Sequence, residues 1–115
     1  LVTGGRFLMC ENSVNGLSAI NDARELLLLP AIQMPWHNVY FDEEALESDV
    51  KTLRLEEKRR FSSLYYFLSR VVNARNAHAS GLAPEYDSPI NNIALSMDAK
   101  GLDDYSQGVL WIWRK

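Results

Sequence analysis

The sequence predicts a mainly α-helical fold: a compact bundle of about five helices in a single domain spanning residues 1–115, with room for a short strand at either terminus. Three observations carry that expectation. Apolar positions recur in steps of three and four, as Leu46, Val50 and Leu53 and then Leu64, Phe67, Val71, Ala74 and His78, the spacing of one helix face. Charge in the same stretch runs acid first and base last. Residues 42–49 hold five acids and no base, whereas 51–75 hold seven bases and two acids, the order that a helix dipole favours. Start and stop signals then divide the chain: Ser13, Asp42 and the pair Ser88–Pro89 open helices, and Pro30, Gly81 and Gly101 close them.

Taken in order, "TGG" is a turn signal, and "RFLMC" is an apolar run too short to separate a strand from a helical turn. A first helix is expected near 14–29, with Leu17, Ile20, Leu27 and Leu28 on one side, although Gly16 and Asn21 weaken it. "PAIQMPW", with prolines at 30 and 35, reads as extended or irregular. Helices follow near 43–57 and 61–79. One unbroken helix over 42–79 would be about 57 Å long, too long for a domain of this size, so a break is expected within "LRLEEKRRF". "LYYFL" is apolar all round and predicts that the 61–79 helix is central and buried. "GLAPEYDSP" is a loop, and a helix near 89–99 follows it. In the closing stretch, "VLWIW" has high strand propensity, but Asp103 and Asp104 suit a helix start, and a fifth helix is expected near 103–113. The predicted core is Leu17, Ile20, Leu27, Leu46, Val50, Leu64, Phe67, Leu68, Val71, Ile93 and Leu110.

Composition narrows the function classes. Apolar residues make up 47% and charged residues 23%, which is globular rather than disordered. The net charge of −3 does not mark the whole chain as a nucleic-acid binder. The single cysteine, Cys10, leaves no intrachain disulfide and no cysteine-built zinc site, and suits a reducing compartment. "LVTGGRFLMCENS" lacks the pattern of a secretory leader, and no apolar run approaches the roughly 18–20 residues of a membrane span. The expected location is therefore intracellular, cytoplasmic or nuclear, with no membrane partner. A start at Leu1 rather than Met suggests a domain cut from a longer chain. Cys10, His37 and His78 are scattered without ligand spacing, and neither a phosphate loop nor a G-x-S-x-G elbow occurs. No metal and no cofactor is expected.

The candidate binding residues are basic and aromatic. Lys51, Arg54, Lys58, Arg59, Arg60, Arg70 and Arg75 form a cluster in which three adjacent bases cannot all face a core. They are suited to gripping phosphates, with Tyr65 and Tyr66 near enough to stack on bases. The ordinary alternative is a solvated helix face paired with Glu56 and Glu57, or pairing with the acids at 42–49 within or between molecules. "WIWRK" places Trp111 and Trp113 beside two bases at the chain end, and Trp and Arg are frequent interface anchors. Trp36 and His37 in "PWHNVYF" suggest a pocket.

Residues 75–78 read "RNAH". Arg75 and His78 are neighbours on a helix, and a His near neutral pKa with an Arg is the equipment of a metal-independent ribonuclease. The tetrapeptide resembles the signature of the HEPN ribonucleases, small helical and often dimeric domains with an Arg–Asn start and a His a few residues on. The resemblance covers four residues and departs in spacing, with two residues between Arg75 and His78 where the family places four to six. It implies RNA as a partner and Arg75 and His78 as catalytic. The primary expectation is different: a non-catalytic helical interaction domain that self-associates or docks a protein through a charge-segregated helical face, with Arg54, Lys58, Arg59, Arg60, Trp111 and Trp113 as binding residues.

Overall fold

Residues Gly108–Arg114, expected to end a fifth helix, instead form the central strand of a three-stranded antiparallel sheet. The structure is a computed structural model and describes residues 2–115. Strands β1 (Arg6–Asn12), β2 (Arg54–Phe61) and β3 (Gly108–Arg114) lie in the order β1-β3-β2. The described residues also form four helices: α1 (Val14–Leu26), α2 (Glu43–Asp49), α3 over residues 63–79, and α4 (Pro89–Ala94). This is an α/β fold, and the five-helix bundle is overturned.

Each correction has a local cause. The helix expected near 43–57 stops at Asp49, and the run "RLEEKRRF" becomes β2 because it pairs with β3 from Arg54↔Arg114 to Phe61↔Gly108. Non-local pairing overrides the helix propensity of Arg, Leu, Glu and Lys. The helix expected near 103–113 shrinks to one 3-10 turn, Asp103–Tyr105, before β3 begins. In β3 the β-branched and aromatic residues prevail. Trp111 and Trp113, expected as binding residues, are not at the surface. Residues two apart on a strand share a face, and both indoles are buried with Val109 at the centre of the core. Met9, Phe41, Leu46, Val50, Leu53 and Leu55 pack around them.

Several openings hold as read. Ser13 caps α1 by accepting from the Gly16 amide at 3.1 Å, and Asp42 caps α2 by accepting from Ala45 at 3.0 Å. Gly16, a weak helix former, is needed for close approach: a Cβ there would lie 2.0 Å from the Ser106 carbonyl oxygen. Helix α1 ends before Pro30, with Leu28 at φ 58°. Helix α4 ends at Ala94 rather than near 99.

Helix α3 starts at a sharp corner, Ser62 at φ 58°, and carries a π turn over Leu68–Val72. Within that turn the Arg70 carbonyl accepts from the buried Arg24 of α1 at 2.6 Å. Of the predicted core, Leu17, Ile20 and Val71 are buried; Leu46, Val50, Leu64, Phe67, Leu68 and Leu110 are half-buried; Leu27 and Ile93 are exposed. The 61–79 helix is therefore half-buried along most of its length rather than central. The molecule measures 56 × 26 × 26 Å with a radius of gyration of 16.0 Å, against about 13–14 Å for a compact chain of this length.

Candidate functional site

The basic run is a strand, and its alternation divides the bases between two faces. In register with Trp111 and Val109, Lys58 and Arg60 lie on the core face beneath α2. Glu43, only 1% exposed, receives Arg60 through two bonds of 2.8 and 2.5 Å and Lys58 at 2.7 Å. The Ser13 hydroxyl also donates to it. Lys58 reaches Glu47 at 2.6 Å, and the Trp111 indole donates to the same carboxylate at 2.9 Å. Burial pushes the Glu43 carboxyl up, but hydrogen bonds from Arg60, Lys58 and Ser13 and the Arg60 charge outweigh it and hold the group below its ordinary value. Burial likewise pulls Lys58 down, and Glu43 and Glu47 more than restore it, leaving its pKa raised.

Glu43 and Glu47 of the acidic stretch thus pair with Lys58 and Arg60 of the basic run within one molecule. Arg59, on the opposite face, pairs with Glu57 at 2.5 Å in solvent. The open cleft along Lys58, Arg59 and Arg60, about 510 Å³, is also lined by Asp103, a fourth carboxylate. Arg54 is exposed and has no ion pair among the described residues. The charge-segregated helical face is therefore not formed: the acids are on a helix, the bases are on a strand, and Glu43 and Glu47 join the two through Lys58 and Arg60.

The remaining sequence candidates are dispersed. Arg75 is half-buried and His78 exposed near the end of α3, and among the described residues no side-chain hydrogen bond joins them. Neither lines the groove of about 590 Å³ formed by Asn73, Asn76, Ser80, Leu82 and Ile90 with the 83–88 loop. Tyr65 and Tyr66 stack on the guanidinium of Arg70, at 4.9 and 5.2 Å, with Tyr86 at 4.2 Å. Trp36 is 93% exposed and meets His37 edge-on rather than enclosing a pocket.

A site that the sequence did not indicate lies on the free edge of β1. The register with β3 is unbroken from Arg6↔Arg114 to Asn12↔Gly108. Just beyond its ends, Lys115 donates to Gly5 and Ser13 donates to Gln107. Odd residues of β1 therefore bond to β3, and even residues point their N–H and C=O groups outward. The Asn12 carbonyl obeys this alternation by accepting from Phe41 at 2.9 Å. The main-chain groups of Arg6, Leu8 and Cys10 point outward with no partner among the described residues. Phe7 is 46% and Leu8 58% exposed along the same strand. The slot is bounded by Phe41 at one end and by the Gly4–Gly5 turn at the other.

The β2 edge is different. Its outward backbone groups belong to Leu55, Lys58 and Arg60, a bulge interrupts its register between Leu55 and Glu57, and charged side chains flank it. Bulges and inward-pointing charges block strand addition. Strand β1 has no bulge, no proline and no lysine, and no charge between Phe7 and Cys10. The only foreshadowing in the sequence was the uncharged run "FLMC", which becomes informative once β1 is known to lie at an edge. No protein-family model, no curated protein and no solved structure matches this chain.

Proposed function

We propose that this domain is a non-catalytic protein-docking module that accepts a partner strand along the β1 edge. The observation that supports it is the row of outward main-chain groups on Arg6, Leu8 and Cys10, flanked by exposed Phe7 and Leu8 and without the devices that shield β2. Strand addition at such an edge takes its affinity from main-chain hydrogen bonds and its selectivity from alternate side chains. Each bond contributes about 1 kcal/mol net, and covering Phe7 and Leu8 adds apolar burial at about 25 cal/mol per Å².

Of the bases on which the nucleic-acid reading rested, Lys58, Arg59 and Arg60 have carboxylate partners and Lys51, Arg54, Arg70 and Arg75 have none among the described residues; the ribonuclease reading rested on an Arg75–His78 pair that shares no groove. Neither gains support.

The test uses a fluorescent heptapeptide of alternating threonine and valine, which offers a β main chain with little side-chain selectivity. Its anisotropy should rise saturably with the domain, with a dissociation constant below about 1 mM. Leu8→Pro should abolish binding, because the amide it removes points into the slot. Equal binding by that variant, or no binding by the wild type, refutes the edge.

A further inference from the structure

We infer that the strand received by β1 is β1 of a second copy of this chain, paired antiparallel about a two-fold axis at Leu8. The inference rests on the docking reading above and names its partner. The outward groups belong to Arg6, Leu8 and Cys10, a set symmetric about Leu8. Centring the axis there sets Leu8 against Leu8 of the second copy and Arg6 against Cys10 in both directions. These are three hydrogen-bonded pairs and about six bonds, in which no outward group of the slot is left over.

Neighbouring registers do less well. A shift of one residue places outward groups opposite inward ones. Centring on Met9 sets Arg6 against Asn12, whose carbonyl is already held by Phe41 at 2.9 Å. Centring on Phe7 sets Cys10 against Gly4, whose amide is already held by the Lys115 carbonyl at 2.9 Å.

The side chains fit the Leu8 register. On the core face Phe7 meets Met9 of the second copy, an aromatic–thioether contact. On the other face leucine meets leucine, and Arg6 meets an uncharged Cys10. No like charges stand opposite. Where each copy carries Phe41 against the end of β1, the second copy brings Gly5 and Gly4 opposite Glu11 and Asn12 and has no side chain to collide.

The product is one continuous sheet, β2-β3-β1 followed by β1-β3-β2. Both unshielded edges are consumed at the centre, and the two remaining edges are the bulged, charged β2 strands. An isologous contact of this kind closes after two copies and does not propagate.

Sedimentation equilibrium from about 1 µM to 1 mM, the range expected of a small interface, should show a monomer–dimer equilibrium. Leu8→Pro should leave a folded monomer, because proline is tolerated on an edge strand whose amide faces outward. Should that variant fail to fold, Leu8→Lys, which opposes two cations at the axis, carries the same prediction. The double variant Leu8→Cys with Cys10→Ser should form an interchain disulfide on oxidation, since directly opposed residues of a bonded pair have Cα atoms about 5.5 Å apart. The native Cys10 should not, because the register separates the two copies by about 14 Å. A monomer at every concentration overturns the inference, as does a dimer that survives both position-8 changes or one that cross-links through Cys10. A monomeric wild type that still binds the threonine–valine peptide overturns only the second copy and leaves the docking edge standing. Loss of both overturns the two together.

Discussion

Strands β1 and β2 flank the same central strand, yet one edge is closed to further pairing and the other is open. On β2 the chain places a bulge at Leu55/Glu57 and two inward cations, Lys58 and Arg60, and covers them with a helix whose carboxylates hold them. On β1 it places an unbroken register and an uncharged centre. Backbone geometry alone does not decide which edge of a sheet docks a partner. The side chains that make the alternative unfavourable decide it. If that is right, the two edges should respond oppositely to the same insults.

Proline gives the largest contrast. Leu110 lies on β3 opposite Arg59, with its amide in the β2–β3 ladder. Leu110→Pro should cost about 3 kcal/mol or more, enough to unfold a marginal domain. Leu8→Pro, on the open edge, should change the unfolding free energy of the dilute monomer by less than about 1 kcal/mol. Urea titrations at low protein concentration separate the two. Similar losses would mean that the β1 amides are not free.

Charge at the shielded edge comes next. Arg60→Glu sets a second carboxylate against the buried Glu43 and should cost about 2–3 kcal/mol. Glu43→Gln should cost somewhat less, because Lys58 keeps Glu47. The same network sets a pH dependence. Glu43 is held below its ordinary value of 4.5 in the folded state, so the unfolded chain binds the proton more readily. The stability it contributes is complete above about 4.5 and is lost as pH falls through the lower, folded value. Lys58, raised above 10.5, contributes fully below that value and loses its contribution as pH rises through the folded one. Urea midpoints should therefore decline with acid below about pH 4.5, and the decline should be shallower in Glu43→Gln.

Much of the local detail was legible in the sequence and the long-range arrangement was not. Ser13 and Asp42 begin helices through capping, a contact between near neighbours, and Pro89 begins one through its own fixed φ. Residues 54–61 misled because Arg, Leu, Glu and Lys are all good helix formers. Their strand exists only through β3, about fifty residues away, and through carboxylates on α2. In "VLWIW" the strand signal was present, but the two aspartates that argued for a helix open no more than a 3-10 turn. The β1 slot is harder still to read. "RFLMC" becomes a sheet edge only once β3, and not β1, is known to be central.

The smallest expected effect separates two adjacent arginines that a linear reading treats alike. Arg59 faces away from α2 and pairs only with the solvent-exposed Glu57, where screening leaves an ion pair little influence. Arg59→Glu should leave the urea midpoint unmoved, in contrast to Arg60→Glu. It should also leave single-stranded RNA unbound at about 50 mM salt, because the adjacent bases Lys58, Arg59 and Arg60 already hold carboxylates and release few counterions. A phosphate-binding surface would behave differently. Wild type would bind with a steep salt slope, and Arg59→Glu, which spares the fold, would weaken binding across all sequences. That result would mean the carboxylates of Glu43, Glu47 and Glu57 leave the strand with charge to spare, and the shielded edge would then be the one to pursue.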